Sequence, residues 1–265
     1  MVSIRNAGGV EVFSVQAGEM FFIPRGSIHY IANLGDNEAV IHFAYNHTHP
    51  QWMCLSKAVF SLSDSVFTST FNSKPEFFNG LQTAKDSDLI KFLPAINKPS
   101  GDKPSRYKFN IAASPKTIQT KGGYLQIGTK VNLPTLEGLG ILGFGLKPKG
   151  IVEPHWHTNA GELVYIVKGK TRITVLSPDS KADVLEVNAG QGAFAPASYF
   201  HNIENVGQED VEVIAYFSDA QPDYIGLGEV IGTYSNELLA SVFNVAPGYF
   251  NQFKKPQGPL VIVPI

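Results

Sequence analysis

The chain has 265 residues, 43% hydrophobic and 17% charged, which is long enough for one large domain or two smaller ones and too apolar for a disordered protein. A net charge of −2 provides no basic excess for binding nucleic acid, and no run of about 18 apolar residues is present to span a membrane. The single cysteine, Cys54, excludes an intrachain disulfide framework. The first ten residues, MVSIRNAGGV, lack the pattern of a signal peptide, which favours the cytoplasm without fixing the compartment.

Most of the chain is predicted to form short β-strands separated by turns. Residues 10–24 and 162–180 each alternate between apolar and polar side chains, with glycine at a turn. Residues 235–245, SNELLASVFNV, place apolar residues at helical spacing behind a serine N-cap, and residues 63–73 are expected to do the same. The Pro-, Lys- and Ser-rich residues 97–108 are typical of a linker. These spacings favour an antiparallel sandwich or barrel over β-α-β units.

An internal repeat organises the chain. Shifting the sequence by 172 residues aligns 17–35 with 189–207 without a gap, and the same register aligns 71–79 with 243–251. The identical pairs in the first of these stretches include Gly18/Gly190, Phe22/Phe194, Pro24/Pro196, His29/His201, Asn33/Asn205 and Gly35/Gly207. Because Met1 aligns with Ile173, the first copy lacks a counterpart to everything before Ile173 in the second.

Four side chains of the second copy form a candidate metal site. His155 and His157 are two residues apart, so in a strand both imidazoles lie on the same face. Residues 158–161 are predicted to turn, and a hairpin there would bring Glu162 back beside the two histidines, while His201 lies in another strand-like stretch. Three imidazoles and one carboxylate, without a thiolate, suit a divalent Mn, Fe, Zn, Co, Ni or Cu ion. Such an ion would polarise a carboxylate or activate O2 or water.

The remaining histidine patterns are expected to bind nothing. His47 and His49 have the same spacing, but no glutamate follows them in a second strand. His29 aligns with His201, yet the partners that it would need lie before Met1, so it is expected to be a hydrogen-bonded core histidine.

The resemblance to a known family rests on two motifs of the second copy. The first is Gly150…His155-x-His157-x4-Glu162-x6-Gly169, and the second is Gly190-x5-Pro196-x4-His201-x3-Asn205. Together they resemble the two cupin motifs, in order and at the usual separation. The first copy keeps only the second motif, as Gly18-x5-Pro24-x-Gly26-x2-His29-x3-Asn33. The chain therefore resembles a bicupin of the oxalate decarboxylase type with a truncated N-terminal module.

This resemblance implies a mainly β fold of the double-stranded β-helix, or jelly-roll, type, in two repeated modules that are each followed by short helices. The expected modules are a partial N-terminal cupin at 1–96 without the first metal motif, a linker at 97–118 and a complete C-terminal cupin at 119–265. The resemblance also implies a divalent metal, most often manganese. Its expected ligands are His155, His157, Glu162 and His201.

Other expected site residues surround these ligands. Val164 and Ile166 share the strand face of Glu162, so they should line the barrel, and Phe194 is a candidate for the pocket wall. Oxalate decarboxylases carry an arginine three residues before the first ligand histidine, and this chain has Val152 there. The family also has a catalytic glutamate on a lid loop. The matching stretch here offers no clear equivalent, but it contains Asp219 and Asp223, either of which is a candidate general acid.

A jelly roll without half of its strands has open edges. Residues 39–45, AVIHFAY, are too apolar to be expected in water. Three arrangements would cover such a remnant: packing against the second barrel, packing against a partner chain, or completion by a longer natural chain in which Met1 is an internal start. Intramolecular packing combined with a homo-oligomer is the arrangement expected.

Two functions remain open. The first is a metal-dependent enzyme that acts on a small carboxylic acid by decarboxylation or by O2-dependent oxidation. The alternative is a non-catalytic cupin of the storage or sensor type that binds a metal or a small ligand. In both, the partner is a small molecule, and neither nucleic acid nor a membrane is expected.

Overall fold

The computed structural model describes residues 1–81, 90–92 and 103–265, so residues 97–102 of the expected linker lie outside the description. The chain divides into two compact units. The larger unit comprises Met1–Asn46 and Pro99–Ile265, and the smaller one comprises His47–Lys98. The module boundaries expected from the sequence remain predictions.

The larger unit is built from antiparallel β-sheets. The strands of its N-terminal part are β1 (Val2–Asn6), β2 (Gly9–Phe13), β3 (Glu19–Phe21), β4 (Ile28–Ile31) and β5 (Lys108–Asn110). The strands that follow are β6 (Ile118–Thr120), β7 (Gly123–Gly128), β8 (Gly140–Leu146), β9 (Gly150–Trp156), β10 (Glu162–Lys168), β11 (Lys170–Leu176), β12 (Ala182–Asn188), β13 (Gly192–Ala195), β14 (Phe200–Asn205), β15 (Val211–Phe217), β16 (Ile225–Gly226) and β17 (Ile262–Pro264).

Two facing sheets form the barrel of the second repeat. One has the order β13-β10-β15-β8-β7-β6, and the other has the order β12-β11-β14-β9-β16, with β17 also paired to β9. Residues along β11, β14 and β15 alternate between buried and more exposed, as expected when one face of each strand packs on a core. The core between the sheets includes the fully buried Ile166, Ile173, Ile203, Val211 and Phe217. This is the jelly-roll architecture that the sequence predicts.

The first repeat is a shortened copy of this arrangement. Its sheet order β2-β1-β4 matches β12-β11-β14 of the second repeat. The turns match as well: Gly18 and Gly190 have φ values of 83° and 84°, and Gly26 and its aligned Ser198 have 75° and 66°. Ser198 thus takes a left-handed conformation that glycine adopts more easily. These shared turns confirm that the repeat is structural.

A strand from the predicted linker completes part of the shortened module. β5 pairs with β3 in the register Met20↔Phe109, as β10 pairs with β13 in the second repeat. Beside β3, β5 therefore occupies the position that β10 occupies beside β13 in the second repeat.

The remnant of the first module packs against the second module. Its core contains Val2, Ile4 and Phe13, which cluster with Leu133 and Leu136. The intramolecular packing that the sequence predicts is therefore present in the larger unit. It covers residues 39–45 only in part: the His42 ring lies 4.6 Å from the Tyr165 ring, but the segment forms no strand and Val40 is 77% exposed. Among the described residues of the first repeat, the strands that flank the aligned partner of this segment, β15, have no counterparts, so coverage by a partner chain remains a prediction.

Short helices follow the strands of both repeats. The smaller unit contains α1 (Leu55–Phe60), α2 (Asp64–Phe71) and a 3₁₀ helix (Pro75–Gly80); the larger unit contains α3 (Leu227–Thr233), α4 (Asn236–Val242) and a second 3₁₀ helix (Tyr249–Gln252). The Ser235 side chain accepts a hydrogen bond from the Leu238 N–H, which confirms the predicted N-cap. Of the helices in the described part of the chain, none has the length and apolar character that crossing a membrane requires.

Candidate metal centre

Strand β9 presents the first two histidines to the barrel interior. His155 and His157 are 2% and 3% exposed, at the end of β9 and just beyond it. His201 lies on the neighbouring strand β14, directly opposite His155 in the antiparallel register. Strand pairing therefore places this third imidazole beside the first two.

Glu162 reaches the histidines from the opposite sheet. The sequence predicts a hairpin between β9 and β10, but this is wrong, because β9 pairs with β14, β16 and β17 whereas β10 pairs with β13 and β15. The turn at 158–161 instead carries the chain from one sheet to the other. The carboxylate still meets the imidazoles because both sheets turn these side chains toward the shared interior.

The four side chains converge on one point. We refer to His155, His157, Glu162 and His201 as the His–Glu cluster; one ligand atom from each lies within 4.8 Å of all the others. The Oε2 atom of Glu162 is 2.9 Å from His201 Nε2, 3.1 Å from His157 Nε2 and 3.8 Å from His155 Nε2. Among the described residues, this is the one group of three or more such side chains with metal-binding geometry.

The hydrogen bonds behind the cluster set the tautomers of its histidines. The Nδ1 atom of each imidazole faces a backbone carbonyl: Glu153 O at 2.7 Å from His155, Tyr199 O at 2.8 Å from His201, and Asp223 O next to His157. A carbonyl only accepts, so each Nδ1 must donate, and in a neutral ring Nε2 then carries a lone pair. The three Nε2 lone pairs and the negatively charged carboxylate repel one another unless a cation or protons lie between them. The donor set therefore fits a divalent metal, and carbonyl-anchored imidazoles are typical of metal-ligating histidines.

Burial and charge act against each other in the cluster. Burial opposes ionisation of Glu162, but its three imidazole contacts outweigh this and hold the pKa of its carboxyl well below the usual range. Burial also opposes a charge on His201, yet the contact with Glu162 prevails and raises the pKa of that imidazole. For His155 burial prevails, and its pKa is lowered. The site thus favours an ionised carboxylate, which is the form that binds a metal.

A small cavity of about 40 Å³ adjoins the cluster. Its polar end consists of His155, His157, Glu162 and the ring of Tyr224. The remaining wall is aliphatic and aromatic, and is formed by Leu125, Leu142, Phe144, Val152, Ile203, Phe217, Val261 and Ile262. Three members of the buried His–Glu cluster therefore line a cavity whose remaining wall is apolar.

The predicted pocket residues divide into three groups. Val152 lines the cavity. Val164 and Ile166 face the barrel interior, but they belong to the packed core and not to the cavity wall. Phe194 does not line the cavity, and this expectation is corrected: it is 57% exposed, because Ala193 and Ala195 occupy the inward positions of β13.

Neither predicted aspartate presents its carboxylate to the cavity. The carboxylate of Asp223 accepts hydrogen bonds from the backbone N–H of Thr158, at 2.6 Å, and from its hydroxyl. The backbone carbonyl of Asp223 receives the Nδ1 proton of His157, so this residue positions a histidine. Asp219 is half-buried, and one of its carboxylate oxygens accepts a hydrogen bond from the Gln221 N–H.

Two residues that the sequence analysis did not identify, Tyr224 and Glu153, lie next to the His–Glu cluster and support it. The Tyr224 ring stacks on His155 with centroids 4.7 Å apart, and its hydroxyl donates to Glu153 at 3.4 Å. The buried carboxylate of Glu153 also accepts hydrogen bonds from the backbone N–H groups of Gly228, Leu260 and Val261, at 2.7–3.0 Å. A charged residue in an otherwise apolar strand was the available signal, but these partners are 71–108 positions away in sequence.

The other histidines lie outside any such group. His29 is exposed, and its Nδ1 is 3.0 Å from the Ser27 carbonyl, so the expected core position is wrong. Within the described part of the chain, β4, which carries His29, pairs with β1 alone, whereas the matching strand β14 also pairs with β9. His47 and His49 are exposed residues of the smaller unit.

A jelly-roll barrel with three histidines and one glutamate on its inner surface, in a geometry that could hold a metal ion, is the architecture of a cupin. The sequence matches the Cupin family over residues 1–77 and 109–248. The chain belongs to the cupin family.

The relatives and solved structures agree with this assignment. A probable oxalate decarboxylase of Arthroderma benhamiae is 24% identical over 98% of this chain and 66% of its own length. A germin-like protein of Arabidopsis thaliana is 24% identical over 68% of this chain and 91% of its own. A structure of Bacillus subtilis oxalate decarboxylase, studied for its Mn(II) centres, superposes with a TM-score of 0.80 at 21% identity, covering 100% of this chain and 72% of that one. The chain thus spans about two thirds of the decarboxylase sequence that it matches.

Proposed function

We propose that this protein is a metal-dependent cupin enzyme that acts on a small carboxylic acid by decarboxylation or by oxidation with O2. The observation that carries the proposal is the convergence of three imidazole nitrogens and one carboxylate oxygen within 4.8 Å at the end of a cavity. A site of this kind binds the acid through its carboxylate, while the apolar wall keeps bulk water away.

Manganese is the metal proposed, held by the His–Glu cluster. A bound divalent ion supplies Lewis acidity and open coordination positions for a carboxylate or O2. The support for manganese is the Mn(II) of the Bacillus subtilis relative. The nitrogen and oxygen donors also accommodate Fe, Zn, Co, Ni or Cu.

The chain's own residues hold the site in shape. The backbone carbonyls of Glu153, Tyr199 and Asp223 orient the three rings, so that the Nε2 atoms face Glu162. We assign Asp223 a positioning role, because its carboxylate is bound to Thr158. Proton transfer by Asp219 remains a proposal, tested by the loss of turnover with retained metal in Asp219→Asn.

The metal site is tested by elemental analysis of purified protein. Wild type is expected to contain near one equivalent of metal, and His201→Ala or Glu162→Gln to lose most of it. His29→Ala is the matched control, because His29 is the aligned residue of the first repeat and is exposed. Stoichiometric metal in both cluster variants would remove the site assignment.

Turnover is tested with metal-loaded protein and a panel of short carboxylic acids, including oxalate, by measuring CO2, formate and O2 uptake. Product formation that disappears in Glu162→Gln supports an enzyme. Silence across the panel in protein that retains its metal supports the alternative, a non-catalytic cupin that binds a metal or a small ligand. That alternative is favoured by one observation: Val152 places an apolar side chain in the cavity wall, where the resemblance leads us to expect an arginine.

A homo-oligomer is also proposed. Its support is the exposure of Val40, Phe43 and Tyr45, at 77%, 54% and 64%, in a segment whose aligned partner is an interior strand. Burial of such a segment against a second copy would remove apolar surface from water. Size-exclusion chromatography with light scattering should give a mass above 28.8 kDa, and a clean monomer would contradict the proposal.

A further inference from the structure

We infer that the acid bound at the His–Glu cluster is a monocarboxylate with a short apolar tail, and that a dicarboxylate such as oxalate is disfavoured. This inference rests on the proposed function, and it specifies the substrate class of the same site. Three properties of the cavity carry it: the chemistry of its wall, its charge balance and its size.

The wall provides nothing to bind a second carboxylate. Apart from the polar end at the cluster, the described lining residues are Leu, Ile, Val and Phe, with no lysine, arginine, amide or aliphatic hydroxyl side chain among them. The one hydroxyl on a lining side chain belongs to Tyr224, and it donates to Glu153. A polar group pushed against this wall would lose its water without gaining a hydrogen bond.

The charge balance of the metal-loaded site also favours a monocarboxylate over a dicarboxylate. A divalent ion with three neutral imidazoles and one carboxylate carries a single net positive charge, which one monocarboxylate neutralises. A dianion would leave a negative charge buried without a counter-ion, which is costly. No lysine or arginine is among the described residues that line the cavity, and two barrel lysines, Lys147 and Lys170, pair on the surface with Asp210 and Glu186.

The size of the cavity limits the tail. A cavity of about 150 Å³ lined by similar side chains accepts benzene, whereas this one measures about 40 Å³. The space is therefore suited to a tail of one or two carbons. Val152 at the wall and Val261 on the C-terminal segment set this limit.

The experiment is isothermal titration calorimetry of metal-loaded protein with formate, acetate, propionate, benzoate and oxalate, with metal content measured before and after. Affinity should rise about fourfold with each carbon from formate to propionate, since each buried methylene contributes about that factor. Benzoate should not bind, and oxalate should bind at least tenfold more weakly than propionate. Affinity that is equal along the series, or tighter for oxalate, would overturn the inference.

Three substitutions of Val152 distinguish the effect of the wall's chemistry from the effect of the cavity's size. Val152→Arg should lower the ratio of propionate affinity to oxalate affinity by at least tenfold. Val152→Leu is the control, because it enlarges the side chain without adding a charge. Val152→Ala should extend binding to butyrate. If the arginine variant does not fold, the affinities of the wild-type protein for the acid series and those of the alanine variant still test the inference. Protein that binds no metal refutes the proposed function, whereas metal-loaded protein that prefers oxalate refutes only the substrate class.

Discussion

Glu153 is expected to stabilise the protein strongly although it lies outside the His–Glu cluster. The residue is 3% exposed, and its carboxylate accepts backbone hydrogen bonds from Gly228, Leu260 and Val261. These bonds tie α3 and the C-terminal segment to β9. Val261 has a φ of 55°, a left-handed conformation that is unfavourable for a β-branched residue, so this segment needs such support.

The substitution Glu153→Gln keeps the shape and removes one acceptor. The amide NH2 group must then face a backbone N–H donor, either at Gly228 or at Leu260 and Val261. Losing one buried hydrogen bond and leaving a donor unsatisfied costs about 2–4 kcal/mol. For a chain of this size that corresponds to a fall in the unfolding midpoint of roughly 5–15 °C.

Differential scanning calorimetry measures the midpoint, and hydrogen exchange at Leu260 and Val261 locates the effect. Both amides should exchange faster in Glu153→Gln. Glu186→Gln is the control, because that carboxylate pairs with Lys170 on the surface, where ion pairs contribute little. A Glu153→Gln midpoint equal to wild type, with unchanged exchange at both amides, would refute the reasoning.

Three further predictions concern the centre and the barrel. The contact with Glu162 outweighs the effect of burial and raises the pKa of His201, so protons should compete with the metal for this imidazole. Metal affinity measured by titration should therefore increase as the pH rises through that pKa. Metal affinity that is independent of pH would contradict this prediction. Asp223→Ala should weaken metal binding about tenfold by freeing the loop that orients the second histidine, whereas Asp219→Ala should leave affinity unchanged. Ile203→Ala should cost about 2–5 kcal/mol in chemical denaturation, because this side chain is fully buried between the sheets, and a smaller loss would mean that the barrel repacks.

The repeat and the four cluster residues were predictable because their signals are local. The two-residue spacing of His155 and His157, and the ungapped match of His29 with His201, are visible in the sequence. The alternation rule also placed Val164 and Ile166 in the interior correctly. The shared face of His155 and His157 and the inward positions of Val164 and Ile166 follow from strand geometry, whereas His201 was found through the repeat.

The errors came from topology and from distant partners. The turn before Glu162 is equally compatible with a hairpin and with a crossing between sheets, and only the pairing of β9 and β10 with other strands decides. Phe194 matched a core residue of the other repeat, Phe22, which is 8% exposed, but it occupies an outward position itself. The role of Glu153 depends on amides up to 108 positions away, and its charge within β9 does not reveal which amides these are.

The most direct test of the metal centre is a crystal structure of metal-loaded protein with an anomalous difference map at the manganese edge. One peak is expected at roughly 2.0–2.3 Å from the three Nε2 atoms and from a Glu162 carboxylate oxygen. A map without a peak between these four ordered side chains, in protein shown to contain one equivalent of manganese, would contradict this expectation.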